Sequence, residues 1–373
     1  MGGMVRLGLL GWAGAVLVAC GGKGEAPPEV APTRPAATDD KAEQEEAIAK
    51  LRAKHPEPSE PGPSEPPPPE PEPTPSEPPP AEPAGARADL RTWKVRYLKG
   101  FARELPMVVF TGSAFITVGD EGAVFDSPDG RDWYARAVET GSALRAVARS
   151  ADGVIAVLGE RGYHARTNDA FEGWRIGTTD LQADALFAVG ANLVAIGSGR
   201  AWLSQDGAAW QEHTVEGLEG DVVAVGREGA LVALGHDGAS QELVVRTTTD
   251  GVTWSSARVA EALVPRDLAY GRDRYWLVGN TPRGVRVSED LNTFTSVKLP
   301  GKAEALGIAA SESGVVVVGR GGFIAVSEDG ESFTVIDPPT EEQLTDVACS
   351  PSVCAAVGSA GRLVTTESLP VEP

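Results

Sequence analysis

Few side chains in this 373-residue sequence stand at the spacings that enzyme chemistry requires. We find no Gly-x-Ser-x-Gly nucleophile elbow, no His-Glu-x-x-His zinc motif and no phosphate-binding loop. The three histidines beyond residue 85, His164, His213 and His236, fall in different parts of the chain, and three cysteines are too few for a structural zinc cluster. Asp and Glu are abundant, so a hydrolase that uses two carboxylates stays open as the alternative. We therefore expect no cofactor, no metal and no catalytic residue.

Arginine recurs in short loops that follow aliphatic segments ending in glycine. Guanidinium groups gathered on one surface could hold a carboxylate, an acidic peptide or an acidic glycan through paired hydrogen bonds. The alternative is that arginine is merely tolerated beside glycine in a loop. The longest of these loops, residues 235–242, contains His236 and Asp237 and is a second candidate, although a plain insertion also explains it. The arginines that are candidates for partner binding are Arg161, Arg200, Arg283, Arg320 and Arg362.

Two independent patterns divide the chain beyond residue 85 into units of about 40 residues. The first is Ser/Thr-x-Asp-Gly-x-x-Trp/Phe, whose aspartates are separated by 40, 37, 44, 40 and 39 residues. The second is an aliphatic segment that ends in glycine, and it occurs seven times. A period near 40 with several short strands per unit is typical of a β-propeller blade. The aspartates of the first pattern are Asp129, Asp169, Asp206, Asp250, Asp290 and Asp329.

The last unit and the first residues of the domain complement each other. After a third strand at Leu363–Thr366 the last unit has only a proline-ended tail, so its fourth strand is missing. The domain opens with Asp89 and Trp93, which have the interval between aspartate and tryptophan that the repeat shows. We therefore predict an all-β, seven-bladed propeller over residues 85–373, closed by an N-terminal strand from Arg91 to Leu98. Such closure removes the open sheet edges that favour aggregation.

The repeated motif has a structural explanation. Its Ser/Thr and Asp side chains can accept hydrogen bonds from backbone N–H groups of the turn between the third and fourth strands, Gly allows a positive φ, and the aromatic residue packs between blades. The motif resembles the Asp-box, or BNR, repeat of propellers such as sialidases, sortilin-type receptors, some glucanases and photosystem II assembly-factor lipoproteins. This resemblance implies the fold and says little about function. Asp169 and Asp290 are not followed by Gly, and we expect less regular turns there.

The first twenty residues are typical of an export signal. Arg6 precedes an apolar segment, Leu7 to Val18, that is too short to span a bilayer. It ends in Leu-Val-Ala-Cys-Gly at residues 17–21, which resembles the lipobox of bacterial lipoproteins and implies lipidation of Cys20. Because Gly21 is not the aspartate that retains such proteins in the inner membrane of enterobacteria, the outer membrane is favoured. The alternative is a cytoplasmic protein with an apolar start.

Residues 21–84 are predicted to be a disordered, acidic linker. Within residues 56–83, fifteen Pro and seven Glu occupy 28 positions. This composition favours extended polyproline II, and at ~3.1 Å per residue it spans about 87 Å. A possible short helix at 39–54 has a narrow apolar face, which leaves open whether it binds a partner or is solvated.

The chain has a net charge of -20 and lacks the clustered basic surface that nucleic acid requires.

Cys349 and Cys354 flank a four-residue loop between two predicted strands of the last unit. A hairpin of this length can place the flanking positions opposite each other, with Cα atoms about 5.5 Å apart. An exported domain also lies in an oxidising compartment. We therefore predict a disulfide, the alternative being two buried free thiols.

Together these features indicate a membrane-anchored, extracytoplasmic scaffold, expected to be a monomer, that binds a protein or glycan partner without catalysis. It would lie in the bacterial cell envelope and face either the periplasm or the exterior. The alternative is a glycoside hydrolase of the sialidase or glucanase type. The Phe/Tyr-Arg-Ile-Pro segment that a sialidase should show is absent, and seven blades exceed the six of sialidases.

Overall fold

The computed structural model describes residues 86–370 except 137, 169, 184, 198, 228, 238–241, 260–262, 280–283 and 302–303. Over this range the chain forms seven four-stranded antiparallel sheets, arranged as the seven blades of a propeller. The all-β, seven-bladed fold expected from the repeats is therefore confirmed. The predicted export signal with Cys20, the linker at 21–84 and the short helix at 39–54 lie outside the described residues.

We call the four strands of a blade a to d, from the ring axis outward. Blade 1 contains β2 (Met107–Phe110), β3 (Phe115–Val118), β4 (Val124–Ser127) and β5 (Tyr134–Ala135). Blade 2 contains β6 (Leu144–Arg149), β7 (Ile155–Gly159), β8 (Tyr163–Thr167) and β9 (Arg175–Thr178). Blade 3 contains β10 (Ala185–Val189), β11 (Asn192–Gly197), β12 (Arg200–Ser204) and β13 (Gln211–Thr214). Blade 4 contains β14 (Glu219–Arg227), β15 (Ala230–His236), β16 (Leu243–Thr248) and β17 (Ser255–Val259).

The remaining three blades have the same order. Blade 5 contains β18 (Pro265–Gly271), β19 (Arg274–Gly279), β20 (Gly284–Ser288) and β21 (Thr295–Lys298). Blade 6 contains β22 (Ala305–Ser311), β23 (Gly314–Gly319), β24 (Ile324–Ser327) and β25 (Thr334–Ile336). Blade 7 contains β26 (Leu344–Cys349), β27 (Cys354–Gly358), β28 (Leu363–Pro370) and β1 (Ala86–Arg96).

Each blade is covered on both faces by the neighbouring blades, and this determines which of its strands are buried. Strand b of blade 6, Gly-Val-Val-Val-Val-Gly, is buried at every position, so β-branched residues fit both faces. Strand d of the same blade, β25, lies at the outer edge and is largely exposed. Apolar sequence is therefore concentrated in strands b and c, which explains why the aliphatic segments ending in glycine mark the blades.

The N-terminal strand closes the ring as the outer strand of blade 7. β1 pairs antiparallel with β28, with Trp93 opposite Thr366 and Arg96 opposite Leu363. The pairing is longer than predicted, because β1 begins at Ala86 and β28 continues to Pro370, so the residues expected to form a tail are strand. A register shift between Asp89 and Trp93 divides the ladder into two parts.

Seven apolar clusters fill the spaces between neighbouring blades in the described chain, and each is contacted by one aromatic residue of the repeated motif. Between blades 1 and 2, for example, Trp174 packs beside Tyr163 and donates its indole N–H to the Arg136 carbonyl of blade 1 at 2.8 Å. The motif aromatic therefore joins each blade to the one before it. These residues are Trp93, Trp133, Trp174, Trp210, Trp254, Phe294 and Phe333.

The direction of the strands separates the two faces of the ring. The a–b and c–d turns lie on one face, and the b–c turns and the connections between blades lie on the other. Because strand c runs towards the c–d turn, its last residue in blade 7, Pro370, lies on the c–d face. Ala86 pairs with Pro370 and lies there too. The described chain thus enters and leaves the propeller on the c–d face.

Candidate functional site

The b–c turns are short and closely fitted to the connections that lead to the next blade. In four blades the turn is a 3-10 turn whose middle residue has a positive φ, for example 58° at Arg161, and whose third residue is glycine. At Gly162 a side chain would collide with the carbonyl of Thr179, which lies in the connection. The four turns are Asp120–Gly122, Glu160–Gly162, Arg320–Gly322 and Ser359–Gly361.

Two of the predicted arginines on this face carry no ion pair within the described residues. Arg161 projects from the turn of blade 2 and is exposed. Arg362 follows the turn of blade 7, is half-buried, and its Nε has no hydrogen-bond partner. Blade 1 separates them, and its turn carries Asp120 and Glu121. An anionic partner would therefore meet the exposed Arg161 and the half-buried Arg362, separated by a turn whose acids are ion-paired with Arg103 and Arg145.

The other predicted arginines are paired or lie outside the described residues. Arg200 Nη1 lies 3.2 Å from Glu212 Oε1, and Arg320 Nε lies 2.7 Å from Glu304 Oε2. Arg283 belongs to a segment that is not described. Of the five predicted arginines, two are therefore in ion pairs, two are not, and one is not described. Whether an arginine is paired depends on the neighbouring strands, so the loop sequences alone do not reveal it.

A second set of cations, which the sequence analysis missed, lies at the start of strand a. Arg145 Nη2 lies 3.0 Å from Glu160 Oε1, and its Nη1 lies 3.5 Å from Asp120 Oδ1. In blade 5, Arg266 pairs with Glu304, which also holds Arg320. These networks join blades 1 and 2 and blades 5 and 6 around the channel mouth.

The predicted pair in blade 4 lies at the end of strand b. His236 pairs with Glu219 and with Leu243 in the sheet, and its Nδ1 is buried without a hydrogen-bond partner. Asp237 is buried, and its N–H donates to the Glu242 carbonyl at 2.9 Å. Residues 238–241 of this loop are not described, so the structure gives only its base.

A pair of carboxyl groups stands in the wall of the central channel, and no sequence motif marks it. Asp267 in blade 5 and Asp346 in blade 7 occupy the same register position of strand a. Asp267 Oδ1 accepts the N–H of Leu268 at 2.8 Å, and its Oδ2 accepts the N–H of Ile308 in blade 6 at 2.7 Å. Each carboxyl group therefore has one oxygen on its own strand and one on the next blade.

Asp346 repeats this arrangement at the seam between blades 7 and 1. Its Oδ1 accepts the Val347 N–H at 2.8 Å and its Oδ2 accepts the Val108 N–H at 2.9 Å. Removal of the carboxyl group from water raises the pKa of Asp346 to about 7. The same loss of water, followed by the charge of Asp346, raises the pKa of Asp267 well above its ordinary value. At neutral pH the pair thus favours a state with fewer than two charges.

The aspartates of the repeated motif hold the c–d turns on the opposite face. In blade 4, Asp250 Oδ1 accepts the N–H groups of Thr253 and Val252, each at 2.8 Å, and the Thr248 hydroxyl at 3.0 Å. These N–H donors lower the pKa of Asp250 to about 2. The same pattern recurs at Asp129, Asp206, Asp290 and Asp329. The Asp206 Oδ2 also lies 3.5 Å from Arg166 Nη1 of the preceding blade, but the shared hydrogen bonds stay within each turn, which fits a structural role.

The two turns without glycine behave differently from each other. The turn at Asp290 keeps the full set of hydrogen bonds, and Leu291 adopts the left-handed conformation with a φ of 64°. The expectation of an irregular turn there is wrong, because the buried Leu291 side chain packs in the cluster between blades 4 and 5. In blade 2 Asp169 is not described, but the Thr167 hydroxyl donates to the Gly173 carbonyl.

Cys349 and Cys354 pair directly opposite each other in the a–b hairpin of blade 7 and form a disulfide. Cys354 is fully buried, and Cys349 is partly buried beside the cluster between blades 6 and 7. The bridge lies on the c–d face, away from the b–c turns.

Within the described part of the chain, no three His, Cys, Asp or Glu side chains come together as metal ligands. No helix in this part is long and apolar enough to cross a membrane. The described histidines His164, His213 and His236 lie in blades 2, 3 and 4.

No protein-family model matches the sequence, and no curated protein matches it. Solved structures do resemble the fold. YCF48 bound to D1 peptide has a TM-score of 0.62 at 16% identity, covering 76% of this chain and 99% of that one. A catalytically inactive virginiamycin B lyase from Staphylococcus aureus with quinupristin has a TM-score of 0.61 at 10% identity, covering 74% and 98%. The WD40 propeller of Doa1 has a TM-score of 0.55 at 15% identity, covering 76% and 97%. At these identities the likeness shows the propeller fold alone.

Proposed function

We propose that this protein is a lipid-anchored scaffold of the bacterial cell envelope that binds a protein or glycan partner on its b–c face and does no chemistry on it. The observation that carries the proposal is the position of the chain ends. Ala86 and Pro370 lie side by side on the c–d face, so both ends of the described chain lie on the face opposite the b–c turns. This supports the b–c face as the surface for a partner.

The side chains on the b–c face support a partner with exposed carboxylates. Arg161 is exposed and supplies donors that suit carboxylate oxygens, and the half-buried Arg362, whose Nε is itself buried, adds positive charge on the same face. The surrounding acids limit how much negative charge a partner can carry, so a folded protein or an acidic peptide segment fits better than a polyanion. YCF48 bound to a peptide is a precedent for peptide binding by a propeller of similar fold.

We also propose that the protein belongs with the Asp-box propeller lipoproteins. The support is the hydrogen-bond scheme of the c–d turns, in which one aspartate oxygen accepts two N–H groups and a Ser or Thr hydroxyl in turn after turn. We expect a monomer facing the periplasm or the exterior, with the outer membrane favoured.

A glycoside hydrolase is the second candidate, and the channel carboxyl pair is the observation that favours it. Asp267 and Asp346 have raised pKa values, as a general acid requires. Against this, both oxygens of each group accept strand N–H groups and are held against the channel wall. We therefore give these residues a structural role and keep hydrolysis as the alternative.

Photo-crosslinking in the native envelope tests the choice of face. A crosslinking amino acid is placed at Arg161 on the b–c face or, as the matched control, at Asp152 in the a–b turn of the same blade; both are exposed. We expect a discrete adduct from the first position only, identified by mass spectrometry. Adducts from Asp152 alone, or glycan hydrolysis by the purified domain, would contradict the proposal.

Two arginine variants test the chemistry of recognition. Arg161→Gln and Arg362→Gln should each weaken capture of the partner found by crosslinking, by about tenfold for a lost charge-assisted hydrogen bond. Arg200→Gln, which removes an arginine already paired with Glu212, is the control and should change affinity little. Equal losses for all three would mean that only net charge matters.

A further inference from the structure

The channel carboxyl pair joins the inner strands of four blades. Asp267 links blade 5 to blade 6 through the Ile308 N–H, and Asp346 links blade 7 to blade 1 through the Val108 N–H. The corresponding position in blade 6 is Gly307, which pairs with Val318 as the aspartates pair with their valines. A side chain at Gly307 would lie 2.9 Å from the Asp346 Cα, so the inner strands of blades 6 and 7 approach closely here.

Gly307 also brings the two aspartates into one neighbourhood. Asp267 bonds the residue directly after Gly307, while the Asp346 backbone lies against Gly307 itself. Two carboxyl groups that are held in this way cannot move apart without breaking hydrogen bonds between blades. When both groups are ionised, their repulsion therefore strains the hydrogen bonds and contacts between the inner strands of these blades.

We propose that Asp267 and Asp346 form a proton-dependent latch of the inner ring. With one of the two carboxyl groups protonated, the inner strands from blade 5 to blade 1 are joined. Loss of that proton sets two negative charges against each other across Gly307 and loosens the packing of blade 6 between blades 5 and 7. β1 packs against the boundary between blades 6 and 7, so the latch and the closing strand act on the same pair of blades.

The surroundings of the pair supply little compensating charge. Among the strands packed against β26, β2, β22 and β23 contain no titratable residue, and Cys354 of β27 is in the disulfide. The turn after β23 brings Arg320, which is paired with Glu304. Against β18, the neighbouring strand β14 contains Glu219, Asp221 and Arg227. β19 contains Arg274, which is paired with Glu289, and Tyr275, whose hydroxyl accepts a hydrogen bond from Arg227. β18 itself contains Tyr270 and Arg266, which is paired with Glu304.

The sign of the pH dependence follows from the raised pKa values. Both groups bind a proton more tightly in the folded state than in the unfolded chain, where an aspartate titrates near pH 4. Their contribution to stability is therefore complete below about pH 4 and is lost as the pH rises through about 7 and beyond. His164 acts in the opposite direction over part of this range, because burial lowers its pKa.

Thermal unfolding between about pH 5 and about pH 8.5 tests the latch. The wild-type Tm should fall as the pH rises, and the fall should be smaller in Asp346→Asn and Asp267→Asn. Asp337→Asn, at an exposed position beyond β25, is the matched control and should follow the wild type. Because His164 is present in every variant, the comparison at each pH cancels its effect. Asn variants whose Tm falls as steeply as that of the wild type would overturn the proposal.

Hydrogen exchange separates loosening of blade 6 from a general loss of stability. The protection factor of the Val318 amide, in the strand that pairs with Gly307, should fall with rising pH at least tenfold more than that of Leu144, whose N–H bonds the Gly119 carbonyl between blades 1 and 2. Parallel changes at the two amides would refute a local latch. If the Asn variants fail to fold, infrared spectroscopy of the ¹³C-aspartate wild type decides. A protonated carboxyl band at about pH 6 that disappears by about pH 9 supports the latch, and its absence at pH 6 overturns it.

Discussion

Removal of β1 should destabilise the whole propeller, whereas a deletion that ends before Ala86 should not. β1 and the residues just after it bury Leu90, Trp93 and Leu98, which are 2%, 8% and 6% exposed. At about 1.5–3 kcal/mol for each large apolar side chain, these three contribute roughly 5–9 kcal/mol. This is comparable with the roughly 5–15 kcal/mol by which native proteins are stable. A chain cut after Leu98 should therefore unfold near room temperature, while deletion of residues 22–84 leaves the melting temperature unchanged.

A point substitution gives the same test in graded form. Trp93→Ala removes a buried indole whose N–H donates to the Leu90 carbonyl at 2.8 Å, and it should cost about 3–5 kcal/mol. For a domain of about 285 residues, whose entropy of unfolding is roughly 0.6 kcal/mol/K, that corresponds to a fall in Tm of roughly 5–8 °C. Tyr97→Ala is the matched control, because Tyr97 is 85% exposed just beyond the same strand, and it should cost less than about 0.5 kcal/mol.

Differential scanning calorimetry on the two truncations and the two point variants measures these effects. A single transition that shifts with Trp93→Ala would show that β1 belongs to the cooperative unit of the ring. Equal melting temperatures for the two truncations, or for Trp93→Ala and Tyr97→Ala, would refute the closure.

Three further outcomes follow from local geometry. Ala360 has a φ of 55° where blade 6 has Gly321, so Ala360→Gly should stabilise and Gly321→Ala destabilise the protein, each by about 1 kcal/mol in denaturant unfolding. The turn aspartates with pKa values held at about 2 stabilise the fold above about pH 4, and unfolding monitored by circular dichroism should become easier as the pH falls towards 2. A thiol assay on denatured, unreduced protein should find neither Cys349 nor Cys354, and their joint replacement by Ser should cost no more than roughly 2–3 kcal/mol. Two reactive thiols, or an acid profile flat to pH 2, would contradict the respective expectations.

The repeat could be predicted because blade geometry repeats in sequence. A period near 40 and a turn that needs Asp, Gly and an aromatic residue determine strand number, turn type and the contact between blades. Even the closure was predictable, because Asp89 and Trp93 retain the interval of the motif. Its length was not, because Glu367 to Pro370 become strand only when Ala86 to Asp89 lie beside them.

The ion pairs and hydrogen bonds of the charged side chains could not be predicted, because they depend on contacts between strands and blades that the repeat pattern does not specify. Arg161 and Arg200 occupy comparable loops, but only Arg200 has a glutamate on the adjacent strand d. Asp267 and Asp346 resemble ordinary polar residues near the start of a strand, and only the ring places their carboxyl groups on the N–H groups of the next blade.

The antiparallel pairing of β1 with β28 also sets how the ring would respond to mechanical load. If the chain ahead of Ala86 is pulled while a partner holds the b–c face, β1 is drawn from its Ala86 end and β28 is held at its Leu363 end. The two strands are then loaded in shear, so the hydrogen bonds of the ladder share the force instead of opening one after another. The register shift between Asp89 and Trp93 divides this ladder into two parts of four pairs each, and under shear both parts share the load that keeps the propeller closed.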